Sequence, residues 1–252
     1  MTISLKSVLV TGAASGLGRA VARALTKEGV AVVCMDANQE ALDAVVGEIR
    51  SAGGNAEGLV VDVADAGQVA GAFEKIADLP LPLEGAVTCA GIRSTTSVLE
   101  LSVDEWDHVM AVNLRGTFLC VQGALSQMIP RSRGRIVTIG SDTGKRGGGR
   151  VGKSVYGASK GGVIVLTRSL ARELASFEGN IRINCVCPGP MLTGMSSPGP
   201  ADDAAPRPHA SVPIGRYGSA TEVAAGVAFL LSDEASFVYG ETLDVDGGVV
   251  MD

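Results

Sequence analysis

The sequence predicts an α/β fold: one doubly wound parallel sheet of about seven strands, with helices on both faces. Three observations predict it. Short apolar strands alternate with helical segments about six times before the chain closes on a strand. The strand ends at Gly12, Asp36, Asp62, Gly91, Ser141 and Pro188 would fall on one edge of such a sheet, where ligands bind. No repeat, linker or composition break divides the 252 residues, so 1–252 reads as a single domain. Aromatic residues make up only 4% of the chain, so its core must be aliphatic.

Residues 5–11 read as a buried strand around Val8, Leu9 and Val10, followed by Gly12-Ala13-Ala14-Ser15-Gly16-Leu17-Gly18. Residues 19–28 have helical spacing and end at Gly29; residues 30–35 form a second strand, with Asp36 at its end. Strand, glycine turn, helix, strand and acid make a dinucleotide-binding βαβ unit. The glycines let the backbone approach a pyrophosphate, and the helix N-terminus offers free N–H groups and a positive dipole end. Asp36 is placed to accept hydrogen bonds from the ribose hydroxyls of NAD. It would repel the 2′-phosphate of NADP by roughly 4 kcal/mol at about 4 Å and an effective dielectric near 20. Neither Ser15 nor Ala37 supplies a compensating cation, so NAD is the expected cofactor. The other reading of Asp36 is an acid at the N-terminus of the helix that starts near Asn38.

Residues 41–52 form the next helix, closed by Gly53-Gly54, and 56–61 the third strand, leading to Asp62 and Val63. Asp62 could reach an adenine amino group, or cap the helix over 68–78. Residues 83–89 are the fourth strand; Ala90-Gly91 after it are small enough for backbone contact with a cofactor. Ser102 and Glu105 make a capping box for a long helix carrying Trp106, Val109, Met110, Leu114, Leu119 and Val121. Asn113 within that helix reads, on its own, as a satisfied core amide. Residues 134–140 are the fifth strand, with Ser141 at its end. Residues 142–153 are a glycine-rich loop holding Lys145, Arg146, Arg150 and Lys153. The sixth strand spans 181–187 and leads to Pro188-Gly189-Pro190. Residues 191–218 have no clear period and read as a substrate lid. Ser219 and Glu222 cap a helix over 223–231, and 241–246 is the last strand.

Tyr156 and Lys160 stand four apart at the start of a helix that runs to about residue 176, so they share one face. A free tyrosine has a pKa of about 10, and lowering it to about 7 takes roughly 4 kcal/mol. A lysine charge a few ångströms away in a partly dry cleft can supply much of that. The pair can therefore carry proton chemistry.

A net charge of −6 and a pI near 5.0 argue against nucleic acid or an anionic membrane as the main partner. The five cysteines are odd in number and lie mostly in apolar runs, which points to a reducing compartment, read as cytoplasmic. Cys185 and Cys187 share a strand face but have no His or second Cys pair nearby, so no metal is expected. No signal region opens the sequence, and no apolar run reaches the length of a membrane span.

Thr11-Gly12-x-x-x-Gly16-x-Gly18, Ala90-Gly91, Asn113, Ser141, Tyr156-x-x-x-Lys160, Pro188-Gly189 with Thr193, and Asp246-Gly247-Gly248 occur in this order. Together they resemble the short-chain dehydrogenase/reductase family over essentially the whole chain. The resemblance implies a Rossmann-type fold and an NAD-dependent oxidoreductase that interconverts a secondary alcohol and its ketone. It implies Tyr156 as general acid/base, with Ser141 bonded to the same substrate oxygen. Lys160 would hold the nicotinamide ribose and lower the Tyr156 pKa, and Asn113 would anchor a water that relays protons to Lys160. The cofactor would lie along Gly12, Ser15, Gly16, Leu17, Gly18, Asp36, Asp62, Val63, Ala90, Gly91, Tyr156, Lys160, Pro188, Gly189, Met191 and Thr193. A homotetramer, with the last helix and strand in the contact, is also implied.

Three features depart from the family's pattern. Thr88-Cys89 stands where similar proteins have Asn before Ala90-Gly91. Ser141 precedes Tyr156 by 15 residues, two more than is common, which makes Thr143 a rival for its role. The short Tyr156–Lys160 spacing differs from that of enoyl reductases and fits alcohol and ketone chemistry. Two alternatives stay open: a 3-oxoacyl-thioester reductase of the same family, with the basic loop meeting an anionic carrier, and a non-catalytic NAD-binding regulatory protein. The substrate pocket would be framed by 92–96, 142–153 and 191–215, with His209 in the lid.

Overall fold

The computed structural model describes residues 1–148, 153–177, 179–192 and 209–251; Arg150, Thr193 and most of the expected lid lie outside them. Seven strands of the described residues form one parallel sheet: β1 Ser7–Thr11, β2 Ala31–Asp36, β3 Ala56–Val60, β4 Leu83–Thr88, β5 Arg133–Ile139, β6 Asn180–Pro188 and β7 Thr242–Val245. Their order is β3-β2-β1-β4-β5-β6-β7. The chain winds outward one way from β1 to β3 and the other way from β4 to β7. The topological switch point therefore lies between β1 and β4.

A parallel sheet covered on both faces needs strands that are apolar at every position. In β1, Val8, Leu9 and Val10 are all fully buried. Val8 and Val10 pack into a cluster with α1 Gly16–Lys27, α2 Gln39–Ser51 and α8 Ala220–Leu231. Leu9 points the other way, into a cluster with α3 Ala66–Ala77, α5 Gly116–Met128 and α7 Ser154–Leu174. Period-two alternation thus assigns each strand residue to one of two helix layers. All five cysteines are free, and four are buried as small apolar side chains. No helix of the described residues is long and apolar enough to cross a membrane.

Three expected elements differ. The long helix after Ser102 is α4 Val103–Met110 and α5, joined by a π-helical turn at Ala111–Arg115 that contains Asn113. The Ser102 capping box is half formed: its hydroxyl accepts from the Glu105 N–H at 3.1 Å, but the Glu105 carboxylate accepts from Thr96 Oγ1 at 3.0 Å instead of returning to Ser102. The loop after Ser141 opens with a short helix, α6 Asp142–Arg146. It lies close on α7, because a Cβ on Gly144 would come within 2.7 Å of the Gly161 nitrogen.

The second capping box is complete. Ser219 Oγ accepts from the Glu222 N–H at 3.2 Å, and Glu222 Oε2 accepts from the Ser219 N–H at 2.9 Å. Ser219→Ala should lower stability by about 1 kcal/mol. For a chain of this size that is a fall of roughly 2–4 °C in Tm, measurable by thermal unfolding.

Candidate active site

One cleft of about 820 Å³ runs along the carboxyl ends of the strands, and Gly12, Asp36, Asp62, Gly91, Ser141 and Pro188 all line it. The edge expected from the sequence is therefore a single cavity. At its centre, Gly12 has φ +64°, and a Cβ there would approach the Ala90 Cα to 2.8 Å. A Cβ on Gly18 would stand 2.1 Å from the Gly12 carbonyl oxygen. Only hydrogen fits at either position, so the turn and α1 close into a shallow cradle. Ser15 caps α1 without a side-chain hydrogen bond, is exposed, and lines the cleft beside Gly16 and Leu17. Free N–H groups at a helix start suit a pyrophosphate, so the cradle fits a dinucleotide.

Asp36 closes β2 and faces the same cleft. Its Oδ2 accepts from the Ala14 N–H and its Oδ1 from the Asn38 N–H, each at 3.0 Å. Asn38, not Asp36, caps α2, accepting from the Ala41 N–H at 3.1 Å. Asp62 likewise is not the cap of α3, a place taken by Asp65; its Oδ1 accepts from the Ala64 N–H at 2.9 Å. Asp62 and Val63 line the cleft next to Asp36. Across it stand Pro188, Gly189 and Met191. Gly189 is required by close approach, since a Cβ there would meet the Asp246 backbone at 2.6 Å.

Tyr156 and Lys160 lie on the first turns of α7, and both line the cleft with Ser141. Ser141 caps α6, accepting from the Thr143 N–H at 3.2 Å, which fixes its hydroxyl. That hydroxyl faces the Tyr156 phenol and draws its pKa down. Both Ser141 Oγ and Thr143 Oγ1 reach Asp142 Oδ1, at 3.1 and 3.3 Å, but only the Ser141 hydroxyl also acts on the phenol. Of the two rivals, Ser141 is the one turned to the phenol. Lys160 is buried, and its ammonium donates to the Ile139 carbonyl at 2.8 Å. Asn113 spends its amide on the loop after β4: Oδ1 accepts from the Ile92 N–H at 2.8 Å, while Nδ2 donates to the Ile92 carbonyl at 2.8 Å and to Ser159 Oγ at 3.0 Å. Its side chain is a satisfied core amide, as the residues alone suggest. Any water held here would have to use the Asn113 main chain, whose carbonyl already accepts from Thr117 Oγ1 at 2.8 Å.

A family model described as enoyl-(acyl carrier protein) reductase matches residues 12–250. The 3-oxoacyl-[acyl-carrier-protein] reductase of Thermotoga maritima is 36% identical over 251 residues, covering 100% of both chains. The 2-(S)-hydroxypropyl-CoM dehydrogenase 3 of Xanthobacter autotrophicus is 37% identical over 96% of this chain and 95% of its own. A crystal structure of an actinorhodin polyketide ketoreductase variant with NADPH superposes with a TM-score of 0.88 at 35% identity, covering 98% of each chain. The chain belongs to the short-chain dehydrogenase/reductase family. It is therefore an oxidoreductase acting on a carbinol or carbonyl carbon with a nicotinamide cofactor.

Among short-chain dehydrogenase/reductase features, the Cys89 departure has a local remedy. The Ala90 N–H donates to Thr11 Oγ1 at 3.1 Å, tying the turn to β1 without an Asn. Burial pushes the Cys89 thiol up to about 12, so it stays protonated beside Lys160. The expected acidic Tyr156 needs correction. Burial raises its pKa, Ser141 lowers it, the Asp142 carboxylate raises it and the Arg93 guanidinium lowers it, with a net upward shift. Lys160 is itself pushed down by burial, and its ammonium faces the Ile139 carbonyl.

Asp142 and Arg93 fall within the stretches expected to frame the pocket, but the sequence did not single them out as acting on Tyr156. Asp142 is buried, accepts from Ser141 Oγ at 3.1 Å and pairs with Arg146 at 2.7 Å. A charged residue directly after Ser141 was the available signal. Asp142→Asn removes a negative charge that favours the neutral phenol, so the Tyr156 pKa should fall. Tyrosinate absorbance against pH, differenced against Tyr156→Phe, should show the transition moving to lower pH. An unmoved or alkaline-shifted transition would contradict the assignment.

Proposed function

We propose that this protein interconverts a secondary alcohol and its ketone with NAD(H), with residues 1–252 acting as one catalytic domain. The observation that carries the reading is the meeting of Ser141, Tyr156 and Lys160 with the glycine cradle in one cleft. Tyr156 holds and moves the proton of the substrate oxygen at its phenolic oxygen, and Ser141 positions that oxygen by a hydrogen bond. Lys160 binds the nicotinamide ribose, supported from behind by Asn113 through Ser159. Gly12, Ser15, Gly16, Leu17 and Gly18 hold the pyrophosphate; Asp36, Asp62 and Val63 hold the adenosine; Ala90, Gly91, Pro188, Gly189, Met191 and Thr193 frame the nicotinamide. When bound, the nicotinamide supplies the hydride acceptor or donor. The chain's own contribution is orientation at contact distance and proton transfer, which together give most of the rate.

Preference for NAD over NADP is supported by charge. The residues lining the adenosine end include Asp36 and Asp62 and no Lys or Arg. Arg19, the first cation after the glycine turn, pairs with Glu48 at 2.7 Å. A 2′-phosphate would meet two carboxylates without a described cation among the lining residues of that end. A homotetramer is supported by apolar side chains left exposed near the chain's end, Phe229 on α8 with Phe237 and Tyr239 before β7. Cytoplasmic residence is supported by five free cysteines.

A second reading, a 3-oxoacyl-thioester reductase, is favoured by the name carried by the Thermotoga maritima relative. Turnover of hydroxy compounds and 3-oxoacyl thioesters with each nicotinamide separates the two. Our reading expects at least about 10-fold higher kcat/KM with NAD(H) than with NADP(H), and NADPH-dependent thioester reduction would favour the second. Tyr156→Phe should lower kcat by about 10²-fold or more with cofactor binding retained. Near-normal turnover would remove Tyr156 from its role, and tight NAD binding with no turnover on any substrate would favour a regulatory protein.

A further inference from the structure

The cleft is electrically two-ended. Its adenosine end carries Asp36 and Asp62, while its open end beyond Tyr156 carries Arg93, Arg146 and Lys153. In a chain of net charge −6 this is a local reversal. The structure also sorts the cations. Lys145 is bound to Asp244 at 2.6 Å, and Arg146 to Asp142 at 2.7 Å. Arg93 and Lys153 form no ion pair among the described residues.

Arg93 is not an arbitrary surface arginine. The preceding residue, Ile92, is clamped through both its N–H and its carbonyl by Asn113, each at 2.8 Å. The following residue, Ser94, is buried, and its hydroxyl accepts from the Thr96 N–H at 3.0 Å. The guanidinium therefore leaves a fixed stretch of backbone. Two residues before it, Gly91 sits against the Lys160 ammonium, 3.4 Å from where a Cβ would stand. The Arg93 charge reaches Tyr156, whose pKa it lowers. Lys153 stands immediately before α7, one turn ahead of Tyr156.

We propose that the substrate carries an anionic oxygen group, a carboxylate or a phosphate, and that Arg93 and Lys153 hold it at the open end of the cleft beside Tyr156. This rests on the alcohol–ketone reading above and adds the substrate class. An arginine fork matches a carboxylate or phosphate edge, and a nearby lysine adds a point charge. Hydrogen bonds to charged groups of this kind change affinity by about 10- to 100-fold.

The test compares short hydroxy acids with their methyl esters, and phosphopantetheine hydroxyacyl thioesters with dephosphorylated ones. It uses the full chain at saturating NAD and the variants Arg93→Gln and Lys153→Gln. The expected result is at least about 10-fold higher kcat/KM for the anionic member of one pair. The variants should erase that preference mainly through KM, with NADH binding, read by nicotinamide fluorescence, retained. The first pair identifies a free carboxylate, the second a carrier phosphate. No preference for the anion in either pair, or equal loss on charged and neutral members, would overturn the proposal while leaving the alcohol–ketone reading intact. Loss of NADH binding in the variants would overturn it by assigning the cations to the cofactor. Calorimetry of the hydroxy acid and the phosphopantetheine thioester on NAD-loaded Tyr156→Phe covers the remaining case. Binding of either that depends on Arg93, in an enzyme inert on every substrate, would uphold the anion site and sink the catalytic reading. Absence of such binding in an inert enzyme would sink both.

Discussion

The structure turns on a buried ammonium. Lys160 is 3% exposed, and no carboxylate pairs with it among the described residues. Its visible partner is the carbonyl of Ile139, the last residue of β5. Around it lie Gly91 and the thiols of Cys89, Cys185 and Cys187. Taking an ammonium out of water costs several kcal/mol, which one carbonyl only partly offsets. The fold sustains this because three elements hold the site from behind. α7 carries the side chain, β5 supplies the acceptor, and the π-helical turn brings Asn113 against Ser159, one residue before Lys160. In the function proposed above, a ribose diol would complete the ammonium's hydrogen bonding and so turn a stability cost at rest into affinity.

The cleft then reads as a gradient of charge laid along one sheet edge. Carboxylates at the ends of β2 and β3 accept from backbone N–H groups and stay open to hydroxyl donors. At the centre, burial raises the Tyr156 pKa most and Ser141 lowers it, while Asp142 and Arg93 pull it in opposite directions to a lesser degree. The positive end draws its side chains from outside the strands, from the loop after β4 and from the segment between β5 and α7, and loops are where chemistry varies on a fixed scaffold.

Most of the fold was legible because its signals are local. Val8, Leu9 and Val10 followed by Gly12 and Gly16 announce a strand and a glycine turn within a dozen residues, and the same grammar recurs to β7. Asp36 was legible because its place at a strand end limits what it can do. What escaped were partnerships set by distance in the chain. Nothing in residues 111–115 signals a π-helical turn, and the hydrogen bonds its Asn113 makes are to Ile92, 21 positions earlier. Arg93 carries no local pattern either; its importance comes from what pairs elsewhere, since Lys145 and Arg146 are matched by Asp244 and Asp142. Charges in a sequence can be counted, but their neutralisation is a tertiary property.

The longer interval between Ser141 and Tyr156 shows how the site tolerates insertion. Two extra residues could have displaced the hydroxyl from the phenol by several ångströms, since each adds up to about 3.5 Å of reach. Both ends are instead pinned. Ser141 is fixed as the cap of α6, directly at the end of β5. α6 is seated on α7 through Gly144, which admits no side chain against Gly161 and Lys160, and its Lys145 is tied to Asp244 at the border of β7. With both ends held in this way, the hydroxyl faces the phenol across the 15-residue interval. Lys153, just ahead of α7, lies outside those anchors, so the groups facing the reacting oxygen are held independently of the cation proposed to meet the substrate.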